Sequence, residues 1–425
     1  MDLKYKIDDK PGIGATLLYG AQWLMICIPV VLTSTFVAPE GEMVFFTQKL
    51  FALCGLAMIV QVLFGHKMPL VTGPAAVLLM GVIAASEQGY EPNAIYPSMM
   101  LGGALVVLIA VSGAMKYVER IFTPRVVAAI VVLISFTMAK PIIRLMFYRG
   151  EDLLPANELV LALLMMSLGV VVMAFANKVL RGVWKSMVVI AAMIIGAIIY
   201  YSVIGFPAEL KSDTVEPRLL MTDIEFDAGV VVAFIFCYIA LLINQVGSVQ
   251  SLGEMLGASG MPNRQKRGMI ITGAANVLCG AMGVLGPVDY SLSPGVVAST
   301  SCASRYTMLP AAVAMVLLAL FPQAVAMLLT IPNPVMGVVL LYLMATQVAA
   351  GLNLMQASKA TVSFQDGLVL GIPIMFTVII SFMPEGVMGV IPEIVRPIVG
   401  NGFVMGIIVV MILEHIVLRA KRDKK

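Results

Sequence analysis

Apolar runs about 17–25 residues long, separated by short polar or charged stretches, fill this chain from end to end, and that is the length a helix needs to cross a bilayer. Fourteen such runs are read, near 14–36, 45–64, 69–86, 96–115, 122–139, 158–176, 184–204, 228–250, 268–284, 287–303, 307–329, 334–352, 367–383 and 397–418. The pattern predicts an all-α polytopic membrane protein with fourteen transmembrane segments. Composition agrees: 60% of the 425 residues are hydrophobic and 12% charged, and the mean hydropathy is +1.00, beyond what a soluble domain tolerates.

Charge then fixes the orientation. With the N-terminus in the cytoplasm and fourteen alternating crossings, Lys49, Lys140, Arg144, Arg149, Lys211, Arg218 and Arg396 fall outside. The remaining lysines and arginines of the 27 fall inside. They include Lys4, Lys6 and Lys10, the clusters Lys116/Arg120/Arg125, Lys178/Arg181/Lys185 and Arg264/Lys266/Arg267, and the tail Arg419, Lys421, Arg422, Lys424 and Lys425, with Lys67, Arg305 and Lys359 between them. That bias is the positive-inside rule, and it predicts a multi-pass protein of the inner (cytoplasmic) membrane with both termini cytoplasmic. A net charge of +3 spread over membrane-flanking loops gives no reason to expect a nucleic-acid partner. The start carries Asp2, Asp8 and Asp9 before an apolar run long enough to span, so no cleavable signal peptide is read. The five cysteines (Cys27, Cys54, Cys237, Cys279, Cys302) fall within spans without metal spacing and read as small apolar fillers.

The first seven spans are echoed by the second seven. Residues 1–204 form one repeat, 205–227 an extracellular loop too short to be a domain, 228–418 a second repeat, and 419–425 a basic cytoplasmic tail. Span five opens with Phe122-Thr123-Pro124-Arg125 and span twelve with Pro332-Asn333-Pro334-Val335, each a proline entry to a helix. Span three carries Thr72-Gly73-Pro74 and span ten Ser293-Pro294-Gly295, both short segments broken by a Gly/Pro pair. Because seven is odd, the repeats are inverted. In secondary transporters, paired broken segments mark a midplane binding site, since freed backbone is tolerated there only when protein or a water-filled cavity surrounds it. Ordinary proline kinks are the plainer alternative.

Polar residues at depth are the candidates. In span eight, Asn244, Ser248 and Ser251 recur on one helical face, with Gln245 beside them. An unpartnered amide in hydrocarbon costs several kcal/mol, so that face is expected to point into the bundle, as a binding group or as interhelical glue. Gln22, next to Trp23, is the counterpart in span one. Asp289 and Tyr290 precede the break of span ten, and an intramembrane carboxylate is by default a functional hypothesis; a solvated vestibule or a helix N-terminus would be the alternative setting. His66 and His415 sit at cytoplasmic helix ends and are not read as proton relays. No nucleophile–base pair or metal-ligand cluster lies at membrane depth, so neither an enzyme nor a cofactor is expected.

The stretch from Gly283 to Thr300, with Tyr290, Gly295 and Thr300 at matching places, resembles the signature region of the nucleobase–ascorbate transporters, the uracil/xanthine permease group. Pro332 to Gly337 resembles that family's span-twelve entry, Gly65 to Pro74 its span-three approach, and Asn401-Gly402-Phe403 its last helix. The resemblance implies fourteen segments in a 7+7 inverted repeat, short strands in segments 3 and 10, a core domain and a gate domain, with substrate held near segments three, eight and ten. It also implies a secondary active transporter of a nucleobase, coupled to a proton or another cation and working by alternating access. A homodimer packed through segments five and twelve is one arrangement it allows, for which the chain offers Ala128, Ala129 and Gly337.

Carried over position by position, the base-holding glutamate of segment eight becomes Asn244 and its polar neighbour Gln245. The histidine of segment one becomes Gln22, the aromatic of segment three becomes Ala76, and the signature's Glu/Gln-Asn becomes Leu292-Ser293. The expected binding set is therefore Asn244, Gln245, Ser248, Gln22, Ala76, Tyr290, Ser291, Leu292 and Ser293, with Asp289 as the coupling residue. An amide matches a base edge as a carboxylate would, without charge. Ala76 and Leu292 make the pocket larger and greasier, which suits a purine such as xanthine or urate as well as uracil. A same-fold carrier of a small anion and a non-transporting paralogue are the competing readings.

Overall fold

Prolines, glycines and a few side-chain caps set where the helices begin and end. The structure, a computed structural model, describes all residues except 1–2, 116–122, 151, 181–183, 185–186, 208–209, 217, 358–363, 393–394 and 419–425. Lys116, Arg120, Phe122, Arg181, Lys185, Lys359 and the basic tail, all used in the topology argument, lie outside the described residues. The helices are α1 (Ile13–Leu32), α2 (Met43–Leu63), α3 (Ala76–Glu87), α4 (Pro92–Ser112), α5 (Pro124–Thr137), α6 (Ala139–Phe147), α7 (Ala156–Val179), α8 (Val188–Ile204), α9 (Ala228–Leu256) and α10 (Met261–Ala281). They continue with α11 (Ser293–Thr300), α12 (Met308–Ala319), α13 (Pro322–Leu328), α14 (Asn333–Ala357), α15 (Phe364–Ser381) and α16 (Gly402–Ile412), which runs on as a π turn over Leu413–Val417. Thr123 caps α5 by accepting from Val126 N at 3.3 Å, Asp227 caps α9 from Val230 N at 2.8 Å, and Asn401 caps α16. Gly257, at φ +61°, closes α9 in the left-handed conformation glycine adopts freely.

Among the described residues, eight helices are long and apolar enough to cross a membrane, or nine if the pair Arg305–Ala319 and Pro322–Leu328, bent by 104°, counts as one span. Fewer helices thus qualify than the fourteen runs read from the sequence. Three apolar helices, α3, α8 and α16 with its π turn, are shorter than that among the described residues, and α10 carries Arg264, Lys266 and Arg267 in its first two turns. The chain is a multi-pass membrane protein in which helices satisfy the backbone internally, as lipid requires.

Where helix fails, two strands replace it. β1 (Thr72–Pro74) pairs antiparallel with β4 (Pro287–Asp289), in the register Thr72↔Asp289, Gly73↔Val288, Pro74↔Pro287. Pro74 and Pro287 lack an N–H, so neither stretch can continue a helix. Ala75 N donates to Gly286 O at 2.9 Å and Tyr290 N to Val71 O at 2.8 Å, extending the ladder at both ends. This moves the break in segment ten. Sequence pattern put it at Ser293-Pro294-Gly295, but Pro294 stands in the first turn of α11, where a proline is harmless, and the interruption falls at Pro287. A second small pair, β2 (Tyr148–Arg149) with β3 (Asp152–Leu153), lies at the end of α6.

Two sets of helices pack mainly within themselves: α1, α2, α4, α9, α10 and α12 around the strands, and α5, α6, α7, α14, α15 and α16 beside them. The tightest crossing, α4 on α10, is a glycine contact: a Cβ on Gly273 would lie 2.7 Å from Gly103 O, and one on Gly103 2.8 Å from Gly273 O. In the second set Ala128 and Ala129 are fully buried, and a Cβ on Gly337 would fall 2.3 Å from Met146 Cγ. The small residues considered for dimerisation therefore serve packing within the chain.

Within 205–227, Asp213 and Thr214 are held against the start of α2. Asp213 accepts from Val44 N and Phe45 N, each at 2.8 Å, filling from a distance the place of an N-cap on α2, and Thr214 N bonds Gly41 O at 2.9 Å. Asp213→Ala is expected to cost about 1 kcal/mol, the usual worth of a cap; a lowered melting temperature with unchanged substrate selectivity is the checking result.

Candidate functional site

A fully buried carboxylate is the centre of the crossed strands. Asp289 has no exposed surface, nor has His66, while Gln245 and Thr72 are each 1% exposed. Thr72 Oγ1 donates to Asp289 Oδ1 at 2.7 Å, which the strand register makes unavoidable because the two residues are Cα partners. From α9, Gln245 uses both ends of its amide: Nε2 donates to Asp289 Oδ2 at 2.5 Å and Oε1 accepts from Asp289 N at 2.9 Å. His66 Nε2 lies 3.2 Å from the same Oδ2, close enough for an ion pair although its N–H is off the line of a hydrogen bond. Taking a carboxylate out of water costs several kcal/mol unless donors surround it, and here they do.

The imidazole has one assignable tautomer. His66 Nδ1 accepts from Met68 N at 3.0 Å, so in the neutral ring the proton is on Nε2, facing Asp289. The segment carrying it is held from α10: Arg264 Nη1 donates to His66 O at 2.8 Å and Lys67 O at 3.0 Å, and Lys67 stands at φ +56°. Asn276 locks the strand from behind, with Nδ2 on Pro287 O at 2.8 Å and Oδ1 accepting from Tyr238 at 2.9 Å.

One residue beyond Asp289 the surface opens into a cavity of about 410 Å³ between the two sets of helices. Ile26, Pro29 and Val30 of α1, Ala76 and Leu79 of α3, and Tyr290 to Leu292 form one wall. Opposite stand Met138, Asn177 of α7, Val188 and Val189 of α8, and Leu340, Tyr342, Met344 and Gln347 of α14. The volume and the mostly apolar lining with a few polar groups are those of a small-molecule site. Tyr290 bonds Pro74 O through its hydroxyl, Asn177 Nδ2 donates to Tyr342 Oη at 2.5 Å, and Gln347 Nε2 to Val131 O at 3.2 Å. A wider cleft of about 990 Å³, bounded by the ends of α3, α6 and α15, carries Lys140, Arg144 and Arg396 against Glu87. Lys140 and Glu87 are an ion pair at 2.8 Å.

The expected site residues fall in three places: the cavity wall, the cluster behind it, and α1 and α9 away from both. Ala76, Tyr290, Ser291 and Leu292 line the cavity. Gln245 and Asp289 are bound to each other behind it, and Ser293 is buried there, its Oγ accepting from Val71 N at 2.9 Å. Gln22 is buried in α1 away from the lining. The inward face of α9 is one residue off the expected one. Gln245, Ser248 and Leu252 are buried, whereas Asn244 is only half-buried and Ser251 exposed. Ser248 Oγ has no partner among the described residues. Asp289 is fully enclosed, so the vestibule alternative does not describe it. Two features were missed from sequence. His66, read as a helix-end residue, is enclosed against Asp289, and Asn177, Tyr342 and Gln347 face the cavity from the other helix set. Only the rarity of histidine, two in 425 residues, could have singled out the first.

Comparison with known proteins returns a consistent set. A family model described as the permease family, of xanthine–uracil type, matches residues 14–386. A Clostridium perfringens protein named as a candidate purine permease, CPE0397, is 25% identical over 98% of this chain and 93% of its own length. The xanthine permease XanP of Escherichia coli is 21% identical over 98% and 94%, and the nucleobase transporter PlUacP of Paenibacillus larvae 21% over 94% and 93%. Among solved structures, the transmembrane domain of the cyanobacterial bicarbonate transporter BicA superposes with a TM-score of 0.62 at 15% identity, covering 88% of this chain and 98% of that one. The murine anion transporter Slc26a9 gives 0.64 at 13%, covering 96% and 68%. These last two are likenesses of fold alone.

Proposed function

The chain belongs to the permease family, among the nucleobase–ascorbate transporters, and from that premise we propose that it carries a nucleobase across the cytoplasmic membrane by proton symport and alternating access. It is a transporter and not an enzyme. The substrate is a purine such as xanthine or urate, or else uracil. The observation that carries this reading is the cavity of about 410 Å³ lying one residue from the enclosed carboxylate, between two broken segments and a facing helix set.

In this reading Ala76, Tyr290, Ser291 and Leu292 contact the base, while Gln245, Ser293 and Asp289 form the support behind them. Asn244, Ser248 and Gln22 lie further along the same core and take part as the cavity opens. The cleft with Arg144 and Arg396, whose cations outnumber its carboxylate Glu87, favours a purine that carries negative charge at neutral pH over neutral uracil, because a net positive entrance raises the local concentration of anions. The strands β1 and β4, each followed by a short helix, support a 7+7 inverted repeat with residues 1–204 and 228–418 as its halves, fourteen crossings and both termini cytoplasmic.

Uptake of radiolabelled xanthine, urate and uracil in a permease-deficient host tests the proposal; no accumulation of any of them above vector, with the protein present in the membrane, would sink it. Filling the cavity gives a sharper check. Ala76→Trp is expected to cut uptake at least about tenfold while the purified protein melts as the wild type does, and undiminished uptake would move the site elsewhere.

A further inference from the structure

We propose that His66 takes up the coupling proton, at Nδ1, with Asp289 as its counter-charge; the inference rests on the permease reading above. A neutral His66 holds its proton on Nε2 and leaves Nδ1 as its one unprotonated nitrogen, whose lone pair accepts from Met68 N at 3.0 Å. Adding a proton there gives an imidazolium beside the Asp289 carboxylate, 3.2 Å from Nε2, so the enclosed pair becomes neutral overall. The Asp289 carboxylate keeps its charge through the donors Thr72 and Gln245, one on each oxygen, and so stands as the fixed counter-ion of the ring.

The same proton changes the backbone. Two N–H groups cannot face each other, so protonation at Nδ1 ejects Met68 N from its bond. Met68 leads directly to the substrate cavity: Leu70 N donates to Met68 O at 2.9 Å, and Tyr290 N, on a cavity-lining residue, donates to Val71 O at 2.8 Å. The segment is bent already, with Lys67 at φ +56°, a conformation that is strained for a residue with a Cβ. Proton occupancy at His66 is thereby communicated to the wall that Tyr290 forms, which couples the proton to the base while His66 itself stays outside the cavity lining. On the elements packed around the pair, Arg264 of α10 is spent on the carbonyls of His66 and Lys67, and Lys67 adjoins them. Tyr290, bonded to Val71 at the far end of the same segment, is a phenol that is uncharged in its ordinary state at neutral pH. Asp289 is the carboxylate His66 meets.

Proteoliposomes loaded with xanthine or uracil separate exchange from accumulation. The wild type should exchange labelled for unlabelled base and accumulate it against a gradient when the outside is acid. His66→Gln keeps a donor toward Asp289 but cannot take a proton; it should retain exchange and lose acid-driven accumulation by at least about tenfold. Acid-driven accumulation at the wild-type level in that variant overturns the proposal, whereas a wild type that exchanges no base at all overturns the permease reading instead. Should the variant fail to fold, the wild type decides the matter through its own nitrogens. With only two histidines in the chain, ¹⁵N-histidine spectra assigned against His415→Gln should show His66 as the Nε2–H tautomer under conditions without accumulation and as imidazolium under those that drive it. A ring that stays neutral under both overturns the proposal as firmly.

Discussion

Asp289→Ala is expected to abolish uptake and to lower the stability of the purified protein by about 3–5 kcal/mol, the cost of removing one partner from a buried charged or hydrogen-bonded set. The substitution leaves His66 Nε2, Gln245 Nε2 and Thr72 Oγ1 facing an empty space in a region with no exposed surface. Asp289→Asn preserves volume and can still accept from Thr72, so it should lose less stability while losing pH-dependent accumulation. Melting temperature and uptake measured together on both variants give the check. An alanine variant that melts and transports like the wild type would remove Asp289 from the site altogether.

The second large effect is steric. Gly273→Leu should prevent assembly of the helix set that carries the strands, because even a Cβ there would sit 2.7 Å from Gly103 O and Val107 Cγ2 and 3.0 Å from Val107 N. Two of those atoms are backbone and cannot swing aside, so α4 and α10 must separate; overpacking of a close-packed interior costs about 1–3 kcal/mol and more where backbone has to move. Gly371→Ala in α15, with nothing within 4 Å of the added carbon, is the matched control and should be neutral or stabilising by up to about 1 kcal/mol. Size-exclusion profiles of the two detergent-purified variants distinguish the outcomes, and a monodisperse Gly273→Leu protein of wild-type melting temperature would show that the crossing is not tight.

Segment eight shows how near a linear reading comes to the site and why it stops short. The pair Asn244-Gln245 was legible as polar at depth, but the rotation of α9 that buries Gln245, Ser248 and Leu252 was not. A helix carrying apolar residues on every side has no amphipathic stripe to fix its rotation. Segment ten failed for a related reason. Both Pro287 and Pro294 can break a helix, and only the pairing of β4 with β1, more than two hundred positions away in sequence, selects Pro287 as the break and leaves Pro294 as a helix start.

The sequence by itself determined what each residue's local chemistry dictates. Apolar run length demanded membrane spans, proline and glycine placement demanded helix entries at Pro124 and Pro334 and a break at Gly73-Pro74, and the motif around Tyr290, Gly295 and Thr300 indicated the family. Tertiary structure alone decided which polar groups meet. His66 lies on the approach to β1, Gln245 on α9 and Asp289 on β4, and their contacts span sequence separations of 44 residues or more. No local periodicity encodes a pairing across such distances. It is fixed by the desolvation cost of a buried carboxylate, which only convergent donors from several elements can offset.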